Sequence, residues 1–83
     1  MPYLLTWSDE IKSNLAKLEK SMAQRIIHKV SWANENGRLL LEKVEGSNDY
    51  KYRVGKYRIF FAKIEINHYL ITHLDHRRNA YKK

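Results

Sequence analysis

Lys51, Arg53 and Arg58 fall within eight residues of one another and are interleaved with apolar side chains. Tyr50, Tyr52 and Val54 alternate with Lys51 and Arg53. After Gly55-Lys56, the residues Tyr57, Ile59 and Phe61 alternate with Arg58 and Phe60. Alternation on both sides of a two-residue, glycine-containing loop is the signature of a β-hairpin. With Gly55-Lys56 as the loop, Val54 faces Tyr57, Arg53 faces Arg58, Tyr52 faces Ile59 and Lys51 faces Phe60. One face then carries Tyr50, Tyr52, Val54, Tyr57, Ile59 and Phe61 toward a core. The other carries Lys51, Arg53, Arg58 and Phe60. Like charges directly opposed in a ladder cost from a few tenths to ~1 kcal/mol. A bound anion removes that cost, and phosphate suits it because the arginine fork grips phosphate through two parallel hydrogen bonds. The plainer alternative is a solvated polar face on which the arginines splay apart.

A second cluster lies near the end of the chain: His73, His76, Arg77, Arg78 and Tyr81. If Leu70, Thr72 and Leu74 face inward, His73 shares the outer face with the arginines. Histidine moves protons near neutral pH, although a single histidine is more often an ordinary surface residue. The spacing His73-x-x-His76 suits a metal, but no carboxylate or cysteine completes a ligand set, so neither metal nor cofactor is expected. Trp7 and Trp32 read as packing residues, and His28 as a surface residue.

The elements that must carry these groups are legible from periodicity. Tyr3-Leu4-Leu5, within Pro2 to Thr6, suggests a first strand. Ser8 offers an N-cap, with Asp9 and Glu10 in the first helical turn and Ile11, Leu15 and Leu18 at helical spacing. A second helix is expected from about Ser21 to Asn36, with Met22, Ile26, Val30 and Ala33 on one stripe and Gly37 as its stop. The hairpin follows, then a turn near Glu65 to Asn67 and a strand over about Tyr69 to Leu74. The tail, His76 to Lys83, suggests a short helical turn. The expectation is a single α+β domain over residues 1–83: an N-terminal strand, a two-helix antiparallel hairpin, then a three-stranded antiparallel meander, all strands in one antiparallel sheet.

The 83 residues carry a formal charge of +7 and no cysteine. Disulfides and zinc–thiolate sites are excluded, which fits an intracellular protein. No apolar run approaches the roughly 18 residues of a membrane span, and the first residues do not resemble a secretory signal. A cytoplasmic protein with no membrane association is expected. The positive charge points to polyanions or to acidic protein partners.

Three motifs together resemble the RelE/ParE superfamily of toxins from toxin–antitoxin modules. Tyr50 to Phe61 resembles the family's Y-[RK]-x-[RK]-V-G-x-Y-R-[VI]-x-[YF]. Leu74 to Tyr81 is similar to its closing G-H-R-x-x-x-Y, and Lys43-Val-Glu-Gly46 to its K-L-x-G. The element order agrees too. Resemblance to the RelE branch implies a toxin that cleaves mRNA in the ribosomal A site. It carries Lys51, Arg53, Arg58 and Arg77 onto the cationic residues of that site, and Tyr81 onto a tyrosine that stacks on the RNA base. The spacing from Arg77 to Tyr81 is shorter than in the best-known RelE. Resemblance to the YoeB branch adds Glu42, four residues before Gly46, as a possible base; the competing reading is an ordinary exposed charge. Resemblance to the ParE branch implies a DNA gyrase inhibitor with no nuclease activity. An inactive homologue is a further alternative. All these branches imply an acidic antitoxin as partner.

Cleaving RNA needs a base for the ribose 2′-OH, cations for the charge gathering on phosphate, and an acid for the leaving 5′-oxygen. The nucleophile belongs to the substrate, so DNA resists, and the products are a 2′,3′-cyclic phosphate and a 5′-hydroxyl. Arg53, Arg58 and Arg77 suit the phosphate. His76 or His73 suits proton transfer, Lys51 either task, and Glu42 stands in reserve as a base. His73, Arg78 and Tyr81 suit RNA binding. The sequence leaves acid and base unassigned among them.

Overall fold

A computed structural model describes residues 2–76. β1 (Leu4–Trp7) leads into α1 (Asp9–Ala16) and α2 (Lys20–Glu35), followed by β2 (Glu42–Lys43), β3 (Asp49–Val54), β4 (Tyr57–Glu65) and β5 (His68–His76). The strands form one sheet in the order β1-β5-β4-β3-β2. The α+β architecture, the helical pair and the hairpin agree with the sequence reading, with three differences. The sheet is mixed, because β1 runs parallel to β5. A two-residue strand, β2, joins the edge of β3, pairing Glu42 with Lys51 and Lys43 with Tyr50. His76 ends β5 instead of opening a helical turn; the rest of that expected turn lies outside the described residues.

Local chemistry accounts for the elements. Ser8 Oγ accepts from the Ile11 amide at 3.1 Å, capping α1 as its position suggested. The β3–β4 loop is Gly55-Lys56, and Gly55 sits at φ 59°, the positive value that a two-residue hairpin loop asks of its first residue. The β4–β5 loop turns at Ile66-Asn67, with Asn67 at φ 67°.

Both helices bury their apolar stripes on the same face of the sheet. Ile11 and Leu15 of α1 and Ile26, Val30 and Ala33 of α2 meet Val54, Ile59, Phe61, Tyr69 and Ile71. Trp7 packs against this core, but Trp32 is 48% exposed on α2 and does not pack as expected. Tyr69 is buried, with the rings of Tyr3 and Tyr50 set edge-on to it at 4.9 and 5.6 Å. Desolvation, then the neighbouring Tyr3 and Tyr50, raises its phenol above the ordinary value. No described helix is long and apolar enough to cross a membrane.

The inward residues of β5 differ from the simple alternation. Phe60 pairs with His73 but Phe61 pairs with Ile71, so Thr72 is an extra residue, a β-bulge. Before it Tyr69 and Ile71 point to the core, and after it Leu74 does. Leu70, opposite Ala62, and Thr72 do not face inward as alternation suggested. Among the described residues no strand flanks β5 on the β1 side beyond Ile71, and Ser8 and α1 supply the missing partners. Ser8 Oγ donates to the Thr72 carbonyl at 2.8 Å, and the Leu74 amide donates to Asn14 Oδ1 at 3.1 Å.

At the other edge of β1, Asn34 of α2 does the work of a strand. The Tyr3 amide donates to Asn34 Oδ1 at 2.9 Å, and Asn34 Nδ2 donates to the Tyr3 carbonyl at 2.8 Å. Asn34→Ala removes both part-buried bonds. At about 1 kcal/mol each, the loss should lower the melting temperature by roughly 5–15 °C in a domain of this size. A melt within a degree of wild type would contradict this.

A basic face on the open side of the sheet

Successive rungs of the sheet set the site. Cross-strand partners point to the same face, so one rung carries Arg53, Arg58 and Asp75, and the next carries Glu42, Lys51, Phe60 and His73. This face is turned away from both helices. The hairpin register is the one read from the sequence, and Arg53 and Arg58 stand side by side. Arg53 and Glu42 are exposed, while Lys51, Arg58, Phe60 and His73 are half-buried. Solvent does not reach Arg58 Nε.

Two acidic residues modify the expected picture. Asp75, opposite Arg58 on β5, was not singled out from the sequence. It places Arg58 between a like and an unlike charge, and so offsets part of the repulsion from Arg53. Glu42 is brought directly opposite Lys51 by β2, a strand too short to show in periodicity. The carboxylate and the ammonium thus share a rung with the ring pair, one step along the strands from the arginines.

His73 lies on this face as expected. Its ring stacks on Phe60 with centroids 4.6 Å apart and planes 5° from parallel. Thr72 Oγ lies 3.2 Å from the Phe60 carbonyl and 3.0 Å from His73 Nδ1. A carbonyl can only accept, so the single hydroxyl proton goes to Phe60 and Nδ1 is the donor to Thr72. That assignment puts a proton on Nδ1 and fixes the ring against rotation.

His76 does not join this group. The register sets it opposite Tyr57, on the helix side of the sheet, and the two rings meet edge-to-face at 5.1 Å. His76 was one of the two histidines that suited proton transfer; on one strand, its spacing of three residues from His73 puts the two rings on opposite faces. Arg77, Arg78 and Tyr81 lie outside the described residues. Among the described residues no three of His, Asp and Glu converge as a metal-binding group. His28 is exposed on α2, as read.

No family model matches the sequence, and no curated protein matches it. The fold does have close counterparts among solved structures. A chain of the toxin–antitoxin complex RelBE2 from Mycobacterium tuberculosis superposes with a TM-score of 0.72 at 18% identity, over 93% of this chain and 100% of that one. The isolated E. coli RelE toxin gives 0.67 at 18%, over 89% and 83%. The archaeal RelE–RelB complex of Pyrococcus horikoshii gives 0.68 at 20%, over 93% and 97%. The YoeB dimer of Staphylococcus aureus matches less closely, with a TM-score of 0.59. The fold is that of the RelE toxins.

A face with two adjacent arginines should take up free phosphate and be stabilised by it, since a ligand that binds only the folded state raises its stability. At matched ionic strength, phosphate should raise the melting temperature by a few degrees over chloride, and Arg58→Ala should lose most of that rise. An equal rise in the variant would place the anion elsewhere.

Proposed function

We propose that this protein is the toxin of a toxin–antitoxin module and an endoribonuclease that cuts mRNA in the ribosomal A site by attack of the ribose 2′-OH. The observation that carries the reading is the pair of rungs on the open face, Arg53–Arg58 beside Glu42–Lys51. The RelE fold supports the class of protein, and the rungs support the chemistry.

Arg53 and Arg58 hold the scissile phosphate and stabilise the charge that collects on its oxygens as the 2′-oxygen attacks. Glu42, a carboxylate exposed to the substrate, takes the 2′-OH proton. Lys51, opposite it, protonates the departing 5′-oxygen. The ribose supplies the nucleophile, so the protein need only position, neutralise and move protons. Arg77, Arg78 and Tyr81 belong to the same RNA site in this reading, with Arg77 adding a third cation and Tyr81 a stacking ring. The partner that restrains the protein is an acidic antitoxin, drawn to the +7 chain by charge. The complexes of RelE with RelB among the structural counterparts support such a partner. In the cell the protein acts in the cytoplasm, where translating ribosomes are found.

Arg58→Ala should abolish growth arrest and slow cleavage by two to three decades, about 2–4 kcal/mol, the cost of losing one preorganised donor to a developing oxyanion. The melt should move by less than about 1 kcal/mol, because Arg58 leaves behind one like and one unlike neighbour. Primer extension on a translated mRNA, with a thermal melt of each variant, checks both. Full cleavage by the folded variant would remove the site. Gyrase-linked DNA breaks without mRNA cleavage by the wild type would replace the reading with that of a gyrase poison. Co-expression of the adjacent reading frame should suppress the arrest; a neighbour that neither binds nor suppresses is not the antitoxin.

A further inference from the structure

The ring pair on the open face is not used by the chemistry above, and Phe60 did not stand out in the sequence. An aromatic residue on the solvent side of a sheet gains little by burial there. Phe60 nevertheless lies half-buried on that side, stacked on a histidine whose rotation is blocked by Thr72. The stack shares its rung with Lys51 and lies next to the Arg53–Arg58 rung. Residues two apart on a strand are separated by about 7 Å, a span comparable to that between the phosphate and the base of one nucleotide. On the side of His73 away from Phe60, β1 has already ended, since its last paired residue, Trp7, stands opposite Ile71. Among the described residues no strand flanks the stack there, and the edge of β5 is met by Ser8 and Asn14 through the Thr72 carbonyl and the Leu74 amide.

We propose that the Phe60–His73 stack is a platform for a nucleobase of single-stranded RNA, with the base added to the stack against His73 while Arg53 and Arg58 hold an adjoining phosphate. The inference rests on the RNA-cutting reading and deepens it by giving His73 a task in holding substrate. Every base presents a π-face, so the platform takes any base, with discrimination left to other groups. Phe60 backs the histidine ring and keeps it parallel to the incoming base. Thr72 is the positioning residue, holding the ring through Nδ1.

The test uses the full chain and a short 2′-O-methyl RNA, which lacks the attacking hydroxyl and cannot be cut, beside the same oligonucleotide made abasic. Fluorescence anisotropy should show the wild type preferring the base-bearing strand by about tenfold, the order expected of one base–aromatic stack. His73→Leu should bring that preference close to one. His73→Phe, which keeps a ring but cannot carry a proton, should restore it. Comparing two oligonucleotides on one variant cancels any loss of folded protein, and a melt of each variant confirms the fold. A tenfold preference that survives in His73→Leu would overturn the platform, as would its absence from His73→Phe. If the wild type cuts mRNA yet shows no preference for bases, the platform fails and the nuclease reading stands. If it binds neither strand and cuts nothing, both fail together.

Discussion

One extra residue in β5, Thr72, determines which side chains of the last strand reach which face of the sheet. Without it, strict alternation from Ile71 would put His73 in the core and Leu74 in solvent. With it, Tyr69 and Ile71 face the helices below the bulge, and Leu74 does so above it. His73 and Asp75 emerge on the open face. A bulge needs its unpaired groups satisfied, and here α1 does that: Ser8 meets the Thr72 carbonyl and Asn14 the Leu74 amide. The residue that caps α1 therefore also holds the bend that aims the site. The hydroxyl of Thr72 ties the bulge to the Phe60 carbonyl and to His73, so the fold and the ring stack depend on the same few atoms.

The open face follows from that phase. One rung gathers cations around a single carboxylate, and the next sets a carboxylate against an ammonium and adds two stacked rings. Phosphate recognition, proton transfer and base stacking have different requirements, and the two rungs supply groups for each within the span of about one nucleotide. The helix side of the sheet carries the buried core, with His76 and Tyr57 at its margin, and the cationic side chains stand on the open side. Asp75 tempers the arginine pair without cancelling it, since the rung keeps a net positive charge.

Much of this was legible in the sequence where a rule of period or turn chemistry applies locally. The hairpin register around Gly55, the Ser8 cap and the stripe of α2 all follow from residues a few positions apart. What was not legible depended on partners distant in the chain. The Thr72 bulge is held by Ser8 and by Phe60, 64 and 12 residues away, so alternation alone gave Leu70 and Thr72 as inward residues. His76 was read as the start of a helical turn, whereas it ends β5, where a spacing of three residues from His73 puts it on the opposite face. β2 is two residues long and offers no pattern, which is why Glu42 entered only through a resemblance to a motif. The parallel pairing of β1 with β5 likewise leaves no trace in a local window.

The central claim is that the open face cuts RNA by making the substrate attack itself. The most direct measurement is cleavage, on stalled ribosomes, of two mRNAs that differ only by a single 2′-deoxy nucleotide on the 5′ side of the cut site. The account predicts that the all-ribose message is cut to give a 2′,3′-cyclic phosphate and a 5′-hydroxyl, and that the deoxy substitution blocks cutting at that position. Equal cleavage of the two messages would contradict it.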